Sequence, residues 1–365
     1  KTAAADAPRF EYAADGQSDA GSPRGLLIEA QSSNLLTHSE DFSNAAWTLT
    51  NSAVGAEAIA PDSTLNAFAW RENSQSNYRH LYQTTTVGAG LVAFSVYAKV
   101  LGNERRLVIR EDSTTGDSVA FDLSSGTVAA TNAGGAGTIE AVGNGWYRCT
   151  LLTTPGAGSR MFGFWLANAS GTDYQSYQGD GYSGLLLFGA QLENASASSS
   201  YIASSGSSGV TRAADSCSVD LAALGNEVTV AAEATSRAVT SDRETVFQIS
   251  PTGSNNLSAY AGRNTGGGTM NNLYGGLSGV YLNGGTVSAD NSYKFALRTA
   301  PANHGLSVNG GTVATESTTV GADLLETLHI GSRSSGINTL NGHVKRLSLF
   351  NVALSNVELQ SLTSS

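Results

Sequence analysis

The chain has 365 residues, and 20 basic against 30 acidic side chains give it a formal net charge of −10 at pH 7. With 14% charged and 40% hydrophobic residues it is too apolar for a charge-rich disordered polymer, and its acidity is the opposite of what nucleic-acid phosphates attract. No stretch approaches the roughly 20 consecutive apolar residues that span a bilayer, so neither nucleic acid nor membrane insertion is expected. At roughly 100 to 200 residues per domain, two or three domains are expected. Glycine at 42 residues and proline at 6 favour short strands joined by tight turns over long helices. The opening, Lys1 to Asp6, lacks the apolar centre of a signal peptide and begins without Met, as a processed or partial chain does.

In chain order, residues 1–30 read as an extended N-terminal segment. From Leu91 to Val100, Val92, Phe94, Val96, Ala98 and Val100 share one face and Ser95, Tyr97 and Lys99 the other, the period-two pattern of a half-buried strand. Arg106–Arg110, Ser118–Leu123, Trp146–Leu152, Met161–Ala167 and Leu185–Leu192 follow the same logic, with Trp47, Trp146 and Trp165 expected in the core. Cys149 sits inside such a run as a buried, inert thiol. Cys149 and Cys217 fit no metal spacing and no disulfide framework. Gly179 to Gly184 matches GxGxxG, but the following Leu185–Phe188 reads as a strand where a dinucleotide loop needs a helix, so a hairpin turn is expected.

Residues 195–216 shift to Ser, Ala and Gly, too small and polar to pack a core, and are taken as a linker. Beyond it, Glu227–Ala234, Thr245–Ile249, Tyr293–Thr299 and His343–Phe350 are further strands, and Asn283-Gly284 and Asn309-Gly310 each fit a type I′ hairpin. Ser355 and Glu358 form a capping box with Leu354 and Leu359 placed for a hydrophobic staple, so a short helix should close the chain. The expected fold is all-β: two β-sandwich (jelly-roll) domains in tandem, 31–194 and 217–365, with a short C-terminal helix.

Sugar binding needs flat aromatic faces beside polar groups. Arg71–Tyr82 and Thr172–Tyr182 concentrate both, and the candidate carbohydrate-binding residues are Trp70, Arg71, Tyr78, His80, Tyr82, Tyr174, Tyr177 and Tyr182. Arg105, Arg106, Arg110 and Arg148 could recognise a uronate or sulfate, although pairing with Glu104, Glu111 and Asp112 is the favoured reading. No GxSxG, HExxH or Lys-bearing phosphate loop occurs. The expectation is no catalytic residue, no metal and no cofactor, with two facing carboxylates left open as the one enzymatic route.

Some of these residues also carry a resemblance. Pro8-Arg9-Phe10-Glu11-Tyr12, Pro23-Arg24-Gly25-Leu26-Leu27-Ile28-Glu29, Asn34-Leu35-Leu36, Asp41-Phe42 through Trp47, Gly143 to Cys149, Tyr177 to Gly181, Gly189-Ala190-Gln191-Leu192-Glu193 and Val210 to Asp215 resemble a recurring module of bacteriophage and prophage tail or fibre proteins. That module is similar in layout to the jelly rolls of carbohydrate-binding modules. Leu306 to Gly311, Leu328 to Arg333 and Asn341 to Leu347, leading into Ala353 to Leu359, resemble a concanavalin A-like, laminin-G-like sandwich. The resemblance implies a non-enzymatic protein on the virion surface, assembled in the host cytoplasm and extracellular after release. It would be homo-oligomeric, in contact with other virion proteins, and adherent to host-surface polysaccharide. A purely structural decoration protein is the alternative, and a polysaccharide hydrolase or lyase the third. In such jelly rolls the closing strand often supplies an acidic calcium ligand, and the stretch Phe188-Gly189-Ala190-Gln191 offers none.

Overall fold

A computed structural model describes residues 8–13, 20–113, 116–225, 227–237, 244–251, 257–262, 272–277, 281–288, 291–319, 325–336 and 338–364. The chain divides into two compact units, one built mainly from Ser32–Arg212, the other from Thr2–Tyr12, Ser22–Gln31 and Ala213–Ser365. Every strand expected above is present, and the named strands pair antiparallel.

The first unit is a sandwich of two sheets. One runs in the order Thr127–Asn132, Ser118–Asp122, Arg105–Glu111, Gly158–Asn168, Arg79–Val87, Thr48–Thr50; the other runs Ala136–Gly143, Trp146–Thr153, Val92–Leu101, Gly184–Glu193, Leu65–Glu72, Ser52–Ile59. Alternation decides the faces. Val92, Phe94, Val96 and Ala98 meet Leu107, Ile109, Phe162 and Phe164 in one core, while Tyr97 faces outward into a smaller cluster with Phe188 and Tyr201. Cys149 is fully buried, and burial pushes its thiol up.

Of the expected linker 195–216, residues 195–212 belong to this unit and residues 213–216 to the second. Asn34 Nδ2 donates to the carbonyls of Ala190 and Ile202 at 3.0 and 2.9 Å. Ile202 is buried, Tyr201 packs on Phe188, and Val210–Arg212 pairs with Ser32–Asn34. Composition misled here because two anchors, Tyr201 and Ile202, fix a stretch that is otherwise Ser and Gly.

The second unit has one sheet in the order Phe10–Tyr12, Pro23–Ile28, Gly342–Phe350, Val228–Ser236, Tyr293–Thr299, His304–Val308, Ala314–Glu316, and another in the order Ser218–Leu224, Leu325–Ile330, Glu244–Pro251, Leu257–Gly262, Asn272–Leu277, Leu282–Thr286. The N-terminal stretch is therefore no separate segment: two of its pieces are strands of this sheet. Arg9 Nη1 donates to Glu29 Oε2 at 2.8 Å, Arg9 also pairs with Asp215, the Glu29 amide donates to Asp215 Oδ2 at 2.8 Å, and the Asp215 amide donates to the Glu29 carbonyl at 2.9 Å. Because Ser32–Arg212 lies between these pieces in sequence, the first unit is an insertion in the second.

Asn309 and Gly310 both take positive φ, 48° and 72°, as a type I′ turn requires. Asn283-Gly284 does not turn in this way and lies within Leu282–Thr286. There the Asn283 side chain accepts from the Gly285 amide and from Asn272 Nδ2, and positive φ is confined to Gly285.

The helix Asn356–Thr363 carries the expected capping box, Ser355 N donating to Glu358 Oε2 at 2.7 Å and the Glu358 amide to Ser355 Oγ at 3.4 Å. Leu359 is buried against Ala231 and Ala296, with Leu354 and Leu362 beside it. Leu359→Ala is expected to destabilise the second unit by about 2–5 kcal/mol through the cavity left behind, and Ser355→Ala by about 1 kcal/mol. Thermal denaturation of the two variants checks both the size and the order of these losses.

Candidate functional site

The two segments singled out from sequence are brought together. Tyr177–Gln178 pairs with Ser76–Asn77, Tyr177 opposite Asn77, and the loop between Gly158–Asn168 and Tyr177–Gln178 folds over the outer face of the first sheet. Asp173 fastens it there, accepting from Ser118 Oγ at 2.8 Å and facing Arg110 Nη1 at 3.4 Å. Arg106 Nη1 donates to the Gly171 carbonyl at 3.1 Å, and Asn132 Nδ2 to the Thr172 carbonyl at 2.9 Å.

On the strand Arg79–Val87, residues two apart share a face, so His80 and Tyr82 point outward while Arg79 and Leu81 point inward. The His80 ring lies 5.4 Å from Tyr82 and 5.5 Å from the buried Trp165. Burial pushes the His80 imidazole below its ordinary value, with the charge of Asp112 opposing. Just before this strand, Tyr78 sits 6.1 Å from Tyr174 at an interplanar angle of 59°. Tyr78 is 47% and Tyr174 43% exposed. The Arg110 guanidinium covers Tyr174 at 4.5 Å, and Asn51 Nδ2 donates to the Tyr78 carbonyl at 3.0 Å. The result is an outward row of aromatic rings edged by amide, hydroxyl and carboxylate groups.

Other candidates lie elsewhere. Trp70 is fully buried in the core, its Nε1 donating to Ser52 Oγ at 2.8 Å, so it presents no ring to a ligand. The centre of its strand Leu65–Glu72 carries apolar side chains on both faces (Ala67, Phe68, Ala69), which hid the inward side. Tyr177 is partly buried, its ring under the Arg79 guanidinium at 4.3 Å and its hydroxyl donating to Glu72 Oε2 at 2.5 Å. It braces the loops, and burial together with the Glu72 bond pushes its phenol up. Tyr182, 51% exposed, accepts through its hydroxyl from Asn103 Nδ2, and Arg71 donates to its carbonyl.

Two supports escaped sequence reading. Arg79, fully buried, donates to the carbonyls of Asn77 at 2.6 Å, Tyr177 at 3.0 Å, Asn73 at 3.2 Å, and Gln75. Its signal was present: alternation puts Arg79 on the same inward side as Leu81, where a cation needs a dedicated set of acceptors. Glu72 is the second support. Arg105 grips it with two bonds, Nε to Oε2 at 2.9 Å and Nη2 to Oε1 at 2.7 Å, and reaches Asp180 Oδ2 at 3.0 Å. Glu72 and Asp180 are thus two neighbouring carboxylates joined by a guanidinium.

The arginine cluster is matched by acids other than most of those expected. Arg105 pairs with Glu72 and Asp180, Arg106 with Asp122, and Arg110 with Asp112 and Asp173. Arg148 lies on the other sheet, over the Tyr97 ring. The GxGxxG stretch is a loop leading into the strand Gly184–Glu193. Asp180 Oδ1 shapes it by accepting the Tyr182 and Ser183 amides at 2.9 and 2.7 Å. Burial acts to raise the Asp180 carboxyl, but bonds from Ser183, Tyr182 and Asn103 outweigh it and hold the group well below the usual carboxylate range. A depressed folded value contributes stability that is complete above the unfolded value, near about pH 4, and is lost as pH falls below it. The melting temperature of the first unit is expected to drop below about pH 4, and less so in Asp180→Asn.

Among the described residues no cluster of three or more His, Cys, Asp and Glu side chains is placed to hold a metal ion, and no helix is long and apolar enough to cross a membrane. Glu193, buried near the end of its strand, accepts from Gln191 Nε2 and Ser199 N at 2.8 and 3.0 Å.

No protein-family model matches the chain, and no curated protein matches it. Among solved structures it is similar to domain 4 of AbnA, a GH43 extracellular arabinanase from Geobacillus stearothermophilus in complex with arabinotriose, at 17% identity over 40% of this chain and 72% of that chain, TM-score 0.29. It is similar to domains LG4-5 of the mouse laminin alpha1 chain at 9% identity over 95% and 96%, TM-score 0.28. A third is the heptameric SAP-like pentraxin of Limulus polyphemus, at 15% identity over 39% and 71%, TM-score 0.31. At this degree of likeness none of the three bears on ligand or activity.

Proposed function

We propose that the chain is a non-enzymatic adhesion component of a bacteriophage particle, and that its first unit binds host-surface polysaccharide along the row Tyr174, Tyr78, His80 and Tyr82. The observation that carries this reading is the exposed, mutually tilted Tyr78–Tyr174 pair, held on a rigid sheet by a loop that Arg110, Asp173 and Asn132 fasten down. Pyranose C–H faces lie on such rings, and neighbouring carboxylates and amides take the hydroxyls. The setting on a phage particle rests on the sequence resemblance.

Hydrolysis by a carboxylate pair is disfavoured by chemistry. A general acid needs a raised pKa, whereas Asp180 is held low and Arg105 stands between it and Glu72. Single sites of this open kind are weak, and an oligomer multiplies them through avidity.

The test is a glycan array, read with the intact protein and with Tyr78→Ala/Tyr174→Ala. Wild type is expected to bind at least one bacterial polysaccharide and the double variant to bind it roughly tenfold more weakly with an unchanged melting temperature. Absence of binding across the array would favour a structural decoration protein.

A further inference from the structure

We infer that the polysaccharide bound along the Tyr78–Tyr174 row is neutral, without uronate or sulfate groups. This inference rests on the binding reading above and concerns the charge class of its ligand. An anionic sugar is held by guanidinium or ammonium groups with donors to spare, and the cations bordering this row have been committed elsewhere. Arg110 is engaged by Asp112 at 2.6 Å and Asp173 at 3.4 Å, with its face on Tyr174. Arg106 is engaged by Asp122 at 3.3 Å and the Gly171 carbonyl. Arg79 is fully buried and aimed at backbone carbonyls. His80 is driven toward its uncharged form by burial.

What the row does offer is acceptors. The Asp112 and Asp173 side chains are each about one-third exposed, beside the ring that Arg110 covers. A carboxylate there takes a sugar hydroxyl proton as a charge-assisted bond and repels a sugar carboxylate or sulfate, within a chain of net charge −10. Arg71 is the informative exception: it donates to the Tyr182 carbonyl and pairs with no acid among the described contacts. It lies on the strand Leu65–Glu72 of the other sheet, so it serves as the control for anion binding away from the row.

The experiment is an array of neutral, uronate-containing and sulfated polysaccharides probed with the intact protein at low salt and again at about 0.5 M NaCl, where the Debye length shrinks to a few ångströms. The expected result is a set of neutral hits whose affinities change by less than about twofold with salt and are unaffected by Arg71→Gln. A hit set confined to uronates or sulfates and abolished by salt, whether or not Arg71→Gln also weakens it, would overturn the charge assignment and leave glycan binding standing. Failure to bind any polysaccharide would remove the binding reading itself, and this inference with it.

Discussion

Deletion of residues 1–30 is expected to abolish the thermal transition of the second unit while leaving that of the first. Pro23–Ile28 lies against Gly342–Phe350 with Leu26 opposite Val344 and Leu27 opposite His343, and Leu27 and Ile28 are buried. Losing those two side chains removes about 1.5–3 kcal/mol each. The deletion also takes away Arg9, Glu11 and Glu29, which pair with Asp215, His343 and Arg237. Against a total of about 5–15 kcal/mol for a domain, that is enough to unfold it. Gly25→Val is a single-residue version. Gly25 has φ of +109°, and a Cβ there would stand 2.5 Å from the Val344 carbonyl oxygen and 2.6 Å from Lys345 Cα. Calorimetry and limited proteolysis check both variants, and a truncated chain that kept two transitions would refute the assignment of this strand.

The second large effect is expected from Arg105→Leu, which leaves the Glu72 carboxylate buried with its bidentate partner gone. Removing one member of a buried pair costs about 3–5 kcal/mol, and here Glu72 is fully buried at its side chain while Arg105 is 12% exposed. Glu72 also holds the Tyr177 hydroxyl and the Asp180 amide, so the loops at 73–77 and 177–183 should lose hydrogen-exchange protection together. Glu72→Gln/Arg105→Leu should recover part of the loss, because an amide tolerates burial better than an unpaired carboxylate. Urea denaturation showing a loss under about 1 kcal/mol for Arg105→Leu would count against a structural role for this hub.

Strand positions were legible because alternation is a local signal, as in Val92, Phe94, Val96 and Ala98, which all face the core. The closing helix was legible for the same reason, its cap lying within four residues. The place of Pro23–Ile28 was not, since its partner Gly342–Phe350 lies at the other end of the chain and nothing in a window of a few residues points to it. At the site, the concentration of aromatic and polar residues in Arg71–Tyr82 and Thr172–Tyr182 located two segments that do pair. It could not distinguish Trp70, which fills the core, from Tyr78, which faces out. The pairing of Arg110 with Asp173 was hidden by distance in sequence, since the two are 63 residues apart.

The position of Pro23–Ile28 sets an order of events during synthesis. This strand leaves the ribosome 314 residues (342 − 28) ahead of its neighbour Gly342–Phe350. At about 5–20 residues per second the delay is on the order of tens of seconds. In that interval Ser32–Arg212 holds its own core and has time to fold, while Leu26, Leu27 and Ile28 wait as an open apolar edge. Nascent chains stalled before residue 342 should therefore be the species that aggregate or recruit chaperones, and release from that dependence should coincide with emergence of Gly342–Phe350.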